Sequence, residues 1–330
     1  MHSCTRAIWI ALAAVLITAC GGGESGAPVV PPPPPPPSPA APTAPVGPLR
    51  AGVTTQDAAG YVEYTPGTAP LILIAPHGGT LSPATLADRN CAACTTANDV
   101  NTQELARAIA TAFTQATGQA PHLIVNRLHR RKFDGNRDRD EAIGSNRVLD
   151  TTWLWYHAAI DSARARVAAE HSRGLVIDLH GHAHEIARLE LGYLLDDAEL
   201  RLSDSSLTSR GAMTRSSVAR LAREARVTTD RGVAVLRGDG SLGTVLTMRG
   251  YPSVPSSQDR APLAGQPYFN GGYNTQRHGS SGGGMVDAIQ IEMPGPGVRD
   301  TEASRSRFSA VLASELMLYL VRLYGWQVTR

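Results

Sequence analysis

The amino-acid sequence predicts a three-layer α/β/α sandwich around a mixed, mostly parallel central sheet. The first observation is a set of short apolar runs, typical of strands buried on both faces: residues 71–75, 123–125, 175–179, 233–236 and 288–293. The second is a set of amphipathic stretches at helical spacing: residues 102–117, 152–170, 214–226 and 302–324. Because the two kinds of segment alternate along the chain, we expect helices on both faces of one sheet.

Composition excludes several classes of protein. The chain has 330 residues, is 42% hydrophobic and carries a formal charge of +2. That balance predicts no nucleic-acid partner and excludes wholesale disorder. One long apolar run, residues 8–19, leaves no second stretch of the roughly 18 or more residues that cross a bilayer. One folded domain over residues 51–330 is therefore expected, and the sequence leaves its oligomeric state open.

The first fifty residues predict export and attachment to a membrane. Residues 1–19 have the form of a signal peptide, and Cys20 stands where a bacterial lipoprotein has its lipidated cysteine; the alternative is an ordinary secretory signal. Residues 20–50 form a linker with seven consecutive prolines, which is typical of an extended polyproline II spacer or, alternatively, of a ligand for an aromatic groove. We expect a lipid-anchored protein of the bacterial cell envelope that faces the periplasm or the cell surface.

Two cysteines remain in the predicted domain, Cys91 and Cys94. In an oxidising compartment they favour a disulfide. A redox-active Cys-x-x-Cys is the alternative, although the strand-then-helix setting of a thioredoxin motif is missing. A zinc site built on these cysteines would need a second ligand pair, which no other cysteine supplies.

Polar side chains close three of the predicted strands, which is where ligands bind in sheets of this kind. His77 follows the first strand, His180 lies near the end of the third and shares a face with Asp178, and Glu292 ends the last. Two histidines, a carboxylate and a further glutamate match the needs of a catalytic zinc ion, with Glu292 as the general base.

Asp99, just ahead of the first long helix, is the candidate for the third metal ligand. The alternatives are that Asp99 caps the helix and that Glu104 is the ligand. His182 and His184 are interpreted as loop or supporting residues rather than ligands.

A basic segment follows the second strand and predicts a substrate with a carboxylate group. Guanidinium groups pair with a carboxylate through two parallel hydrogen bonds. The candidates are Arg127, Arg130 and Arg137, although at least one is expected to pair with a local carboxylate instead; those carboxylates are Asp134, Asp138 and Asp140.

The sequence resembles the N-formylglutamate amidohydrolase family, whose relatives include zinc carboxypeptidases and aspartoacylases. The similarity covers about 220 residues and rests on five motifs in order: Pro76-His77-Gly78-Gly79, Asn126-Arg127, Asp178-Leu179-His180, Gly271-Gly272-Tyr273 through Arg277-His278-Gly279, and Gln290-Ile291-Glu292.

The resemblance implies zinc-dependent hydrolysis of a linear amide on an acidic amino acid. His77 and His180 match the histidine ligands and Glu292 the general base, and Tyr273 would contact substrate. Zinc together with an arginine or His278 would hold the oxyanion; the alternative is that His278 is a surface residue in a Gly-rich loop. Poly-γ-glutamate hydrolases, a related group, have a ligand carboxylate just before a helix start similar to Thr102-Gln103-Glu104-Leu105, which favours Asp99. The expected partner is thus a small molecule or peptide with a carboxylate, and a γ-glutamyl or cell-wall peptide amide is the alternative substrate.

Three rival interpretations remain. Ser281 lies in a G-x-S-x-G pattern, but a serine hydrolase needs a strand before this motif and a histidine after it. His180 and His182 could be the H-x-H pair of an amidohydrolase barrel, although that pair belongs to a first strand. A tethered envelope protein could instead keep the fold as a binding module, for which a broken metal set would be the sign.

Overall fold

The computed structural model describes residues 49–91, 94–224 and 231–328. The predicted signal peptide, Cys20 and nearly all of the proline-rich linker lie outside the described residues. Within the described residues, no helix is both long enough and apolar enough to cross a membrane.

In the part of the chain that the structure describes, eight strands form one mixed sheet: β1 Thr55–Gln56, β2 Val62–Thr65, β3 Leu71–Ala75, β4 His122–Asn126, β5 Gly174–His182, β6 Leu189–Gly192, β7 Ser253–Val254 and β8 Val286–Pro294. Their order is β1-β2-β4-β3-β5-β8-β6-β7. The central strands β4, β3, β5 and β8 are parallel, whereas β2 and β6 run antiparallel to their inner neighbours. The carboxyl ends of β3, β5 and β8 therefore meet at one edge of the sheet.

Eleven α-helices lie in the described part of the chain: α1 Thr102–Thr117, α2 Arg139–Ile143, α3 Asp150–His171, α4 Asp197–Leu200, α5 Asp204–Ser209, α6 Ala212–Arg215, α7 Ala219–Glu224, α8 Arg231–Arg237, α9 Leu242–Met248, α10 Tyr273–His278 and α11 Glu302–Tyr319. Short turns of other helix types cover Arg147–Leu149, Gly295–Arg299 and Leu320–Tyr324.

Two separate hydrophobic cores show the three layers. Leu71 and Leu73 of β3 pack with α1 and α11 on one face, and Ile72 and Ile74 pack with α3 on the other. Successive strand residues point to opposite faces, so an uninterrupted apolar run is what a strand between two helical layers requires. The predicted fold class is confirmed.

Most predicted elements agree with the structure, and three differ from it. Residues 233–236 are part of helix α8 rather than a strand, because a short apolar run fits a buried helix turn as well as a strand. The predicted helix 214–226 is interrupted between α6 and α7, where the backbone of Ser217 bonds to Tyr193, Ser280 and Ala288 instead. The predicted helix 302–324 ends at Tyr319 and continues as the turn Leu320–Tyr324.

Candidate metal centre

His77 enters the site from the loop that follows β3. The next two residues let the loop backbone pack closely against its neighbours. A Cβ on Gly78 would meet Thr102 and Gln103 of α1, and a Cβ on Gly79 would meet the backbone of Arg127 and Leu128. Only glycine permits such close backbone approach. The His77 ring is fully buried and is held at the carboxyl edge of the sheet.

Asp99 lies in the loop before α1, two residues ahead of the residue that caps the helix, Asn101. Its main-chain carbonyl accepts hydrogen bonds from the amide and the hydroxyl of Thr102. Its carboxylate is therefore free of any capping role, and Oδ2 accepts a hydrogen bond from the Gly181 amide at 3.1 Å.

His180 of β5 completes a triangle with the other two side chains. Its Nδ1 lies 3.0 Å from His77 Nδ1 and 3.3 Å from Asp99 Oδ2, and the third side, His77 Nδ1 to Asp99 Oδ2, is 3.2 Å. All three residues are buried.

This donor set fits a tetrahedral metal ion. With bonds of 2.0–2.1 Å, two ligand atoms of a tetrahedral zinc lie about 3.3 Å apart, close to all three measured sides. The two imidazoles also point Nδ1 at each other, an arrangement that repels unless a proton or a cation lies between the lone pairs. His77, Asp99 and His180 could thus hold a metal ion.

Buried polar groups fix the far nitrogen of each imidazole. His77 Nε2 lies 2.5 Å from Asp134 Oδ1. His180 Nε2 lies 2.9 Å from Asp178 Oδ2 and 3.3 Å from Asn136 Nδ2. Metal-bound histidines are commonly oriented by a carboxylate in this way.

Buried acidic groups surround the two imidazoles. Four carboxyl groups, those of Asp99, Asp134, Asp178 and Glu292, lie within 4.0 Å of them. Arg130 pairs with Asp99 and Asp134, Arg89 pairs with Asp134, and Arg299 interacts electrostatically with Asp99 and Glu292. A cation between the two imidazoles would add to the compensation that buried carboxylates require.

The ionisation of the cluster follows the same balance. Burial opposes the charged form of Asp99, but the two histidines outweigh it and hold the pKa of this carboxyl below its usual range. Burial likewise disfavours a charged His180, yet Asp178, Asp99 and Glu292 raise its pKa well above the ordinary value. In the absence of metal, the site attracts a proton to the place where a cation would bind.

Glu292, at the end of β8, faces the cluster with one free oxygen. Oε1 lies 4.0 Å from His180 Nδ1 and accepts a hydrogen bond from Gln290. Oε2 is buried and has no hydrogen-bond partner among the described residues. Burial raises the pKa of Glu292 to about 8. A carboxyl group so placed is able to exchange a proton with a molecule bound at the cluster.

The predicted arginines lie in three different settings. Arg130 is at the site, but its Nε and Nη1 are used by Asp134 and Asp99. Arg127 instead contacts Glu63 and the Gly60 carbonyl beside β2, because the chain turns back after β4. Arg137 pairs with Glu141 one helical turn later. Both arginines thus have local carboxylate partners, and their expected contact with substrate stays a prediction.

His278 and Tyr273 of α10 form a second aromatic cluster with α3. His278 is fully buried, with Nε2 2.9 Å from His157 Nδ1 and Nδ1 3.2 Å from Asp161 Oδ1. Tyr273 packs edge-on against His157. These contacts join α10 to α3, and the expected role of His278 at the oxyanion stays a prediction.

The structure also places Glu104, the alternative metal ligand, and the two cysteines. Glu104 is exposed on α1 and, with Glu302 and Arg305 of α11, lines a surface cavity of about 540 Å³, so it is not a ligand of this cluster. Cys91 and Cys94 are joined as a disulfide, with Cα atoms 5.3 Å apart, a separation that suits this bond.

A second group of possible ligands consists of His182, His184 and Glu190. Its donor atoms already have partners: His182 Nε2 lies 2.8 Å from the Arg188 carbonyl, His182 Nδ1 accepts from the His184 amide, and His184 Nδ1 lies 2.9 Å from Glu190. These contacts hold the loop after β5, and the interpretation of His182 and His184 as loop or supporting residues stays a prediction.

Sequence reasoning missed two residues that shape the site. Asp134 was treated only as a local partner of arginine, and nothing in its spacing links it to His77. Arg299 is buried against Gly181 and donates to the carbonyls of Val100, His182 and Met293. It therefore ties the Asp99 loop to the ends of β5 and β8.

No family model and no curated protein matches the chain. Among solved structures, the chain is similar to an N-formylglutamate amidohydrolase from Ralstonia eutropha JMP134, with 14% identity, a TM-score of 0.41, and coverage of 79% of this chain and 97% of that one. It is also similar to the N-acetylmuramyl-L-alanine amidases of Mycobacterium abscessus and Mycobacterium smegmatis. Their identities are 12% and 11%, their TM-scores 0.26 and 0.25, and each covers 76% of this chain and 98% or 96% of its own.

Proposed function

We propose that this protein is a zinc-dependent amidohydrolase that cleaves a linear amide bond in a substrate bearing a carboxylate. The observation that carries the proposal is the triangle of His77 Nδ1, Asp99 Oδ2 and His180 Nδ1, with sides of 3.0–3.3 Å, beside a glutamate with a free oxygen. Three protein ligands and an open fourth position are typical of catalytic rather than structural zinc.

Zinc in such a site polarises a carbonyl oxygen and acidifies water. The chain supplies the proton transfer. A cation held by His77, Asp99 and His180 would lower the pKa of Glu292, so that Oε2 could take a proton from the attacking water and return it to the departing amide nitrogen. Asp134 and Asp178 keep the two imidazoles oriented while charge develops. Arg130 holds Asp99 and Asp134 in their charged form.

The test measures metal and hydrolysis together in the full chain. We expect about one zinc ion per chain and hydrolysis of N-formyl- or N-acetyl-glutamate, N-acyl aspartate or a γ-glutamyl peptide. Glu292→Gln should keep its zinc and lose about 10²–10⁴-fold in kcat. Ser281→Ala, the matched control for the serine-hydrolase alternative, should retain activity.

Either of two results would contradict the proposal. The first is wild-type protein that binds no metal even when zinc is supplied, which would favour a binding module. The second is a Glu292→Gln variant as active as wild type.

We also propose that the protein is exported and anchored through Cys20, which would give the enzyme access to envelope peptides. Its support is the sequence of residues 1–20 alone. Labelling with a radioactive fatty acid should mark the wild-type chain and not Cys20→Ala; equal labelling of both would refute the anchor.

A further inference from the structure

A buried arginine in the loop before β6 has an unused hydrogen-bonding edge. Arg188, just ahead of β6, is only 6% exposed. Its Nη1 donates to Asp259 at 3.0 Å and to Gln266 at 3.3 Å. Its Nε and Nη2 are buried without a hydrogen-bond partner among the described residues. A buried guanidinium N–H group without a hydrogen-bond acceptor costs free energy. A ligand that accepts from Nε and Nη2 would remove that cost.

The sheet register places the backbone of Arg188 at the same edge of the sheet as the metal cluster. Across the pairing of β5, β8 and β6, His180 is in register with Glu292, and Glu292 with Glu190. Arg188 precedes Glu190 by two residues, so its backbone lies about 7 Å further toward the carboxyl end of β8. Its carbonyl also contacts His182, two residues beyond His180.

The geometry of the free edge selects the ligand. Nε–H and Nη2–H of arginine are parallel donors that match the two oxygens of one carboxylate. This edge of the guanidinium is closed to bulk solvent. A charge-assisted hydrogen bond is stronger in such a buried place than in water. Asp259, whose side chain is 43% exposed, bonds only to Nη1, which leaves Nε–H and Nη2–H as donors for an anion.

We propose that Arg188 binds the carboxylate of the substrate through Nε and Nη2 and so sets the selectivity of the enzyme for acidic substrates. The proposal rests on the proposed function, and it assigns to Arg188 the task that the basic segment after β4 was expected to perform. Because Arg130 is already paired and Arg137 is directed to Glu141, Arg188 is the arginine of this region whose free donors suit a ligand.

The test compares substrates that differ only in that group, for example N-acetyl-glutamate with its α-amide and its γ-amide. Wild type should prefer the carboxylate form, and Arg188→Gln should lose about 100-fold in kcat/KM for it while its kcat/KM for the matched amide changes little. Zinc content should stay the same. Arg188→Lys, which keeps the charge but not the fork, should recover only part of the selectivity.

Arg237→Gln is the matched control, since Arg237 is equally buried but donates to Asp204 and to the carbonyls of Leu200 and Leu202. It should alter stability without altering the preference. If Arg188→Gln lowered both substrates by the same factor, or neither, the proposal would be overturned.

Binding of glutarate, measured by calorimetry on the zinc-loaded full chain, separates this proposal from the proposed function. Binding by wild type that Arg188→Gln loses supports the carboxylate site even if no amide is hydrolysed. Equal binding by both proteins, or none by an actively hydrolysing wild type, contradicts the role of Arg188 and leaves the hydrolase itself standing.

Discussion

His77 Nε2 lies 2.5 Å from Asp134 Oδ1, and both side chains are buried. Asp134 is itself held by Arg89 and Arg130. Burial alone would raise the pKa of Asp134, but His77 and the two arginines hold it well below the usual range. A charged Asp134 therefore keeps the proton of His77 on Nε2 and leaves Nδ1 to face Asp99 and His180.

This relationship predicts that Asp134→Asn weakens metal binding without removing a ligand. Loss of an orienting carboxylate typically costs 10–100-fold in metal affinity, and we expect about that loss in zinc affinity, measured by competition with a chelating dye. The control is Asp150→Asn, which breaks an exposed pair with Arg139 and should leave zinc affinity unchanged. Unchanged affinity in Asp134→Asn would contradict the role given to Asp134.

Asp99→Asn and Glu104→Gln form a second pair of variants. Asp99 Oδ2 lies 3.2 and 3.3 Å from the two imidazoles, whereas Glu104 is exposed on α1. We expect Asp99→Asn to lose most of its zinc and Glu104→Gln to retain about one ion per chain, as measured by mass spectrometry of metal content. The reverse result would make Glu104 the ligand and require α1 to turn toward the cluster.

The residues at strand ends show which parts of the candidate site could be predicted from the sequence. His77, His180 and Glu292 could be found because the carboxyl ends of parallel strands converge, and the runs before them are long and apolar enough to identify those strands. The strand predicted at residues 233–236 failed because a short apolar run has no periodicity of its own.

The arginines show where sequence reasoning ends. Arg127, Arg130 and Arg137 lie together in the chain, yet the turn after β4 sends them to Glu63, to Asp134 and to Glu141. Arg188 lies in no basic segment, and its unpaired edge follows only from the packing of the loop that contains Asp259. Charge density along a sequence does not determine which cation remains free in the folded protein.

His278 provides a prediction that separates a structural from a catalytic histidine. It joins α10 to α3 through His157 and Asp161. His278→Gln should lower the free energy of unfolding by about 1–3 kcal/mol, since it leaves buried polar partners unsatisfied. Its kcat, measured below the unfolding temperature in zinc-loaded protein, should stay within a few-fold of wild type. A fall of about 10²-fold or more would instead indicate catalysis by His278.

His122, at the start of β4, predicts how stability depends on pH. Tyr64 and the Gly67 amide hydrogen-bond to its Nδ1, and burial lowers its pKa to about 3. The unfolded chain takes up a proton near pH 6.5 and the native state does not. Stability is therefore lost as the pH falls below about 6.5, and linkage gives a loss of about 2 kcal/mol at pH 5.

His122→Asn keeps an acceptor near the position of Nδ1 but does not titrate. We expect the decrease in unfolding free energy between pH 7 and pH 5, measured by urea denaturation, to shrink by about 2 kcal/mol in the variant. A residual decrease should remain, because burial also lowers the pKa of His157. Since His122 lies at the opposite end of β4 from the metal cluster, zinc content should be the same in both proteins. If the unfolding free energy decreased equally in wild type and variant between pH 7 and pH 5, His122 would take up its proton in the folded state as it does in the unfolded chain. The interior around Tyr64 would then tolerate its charge.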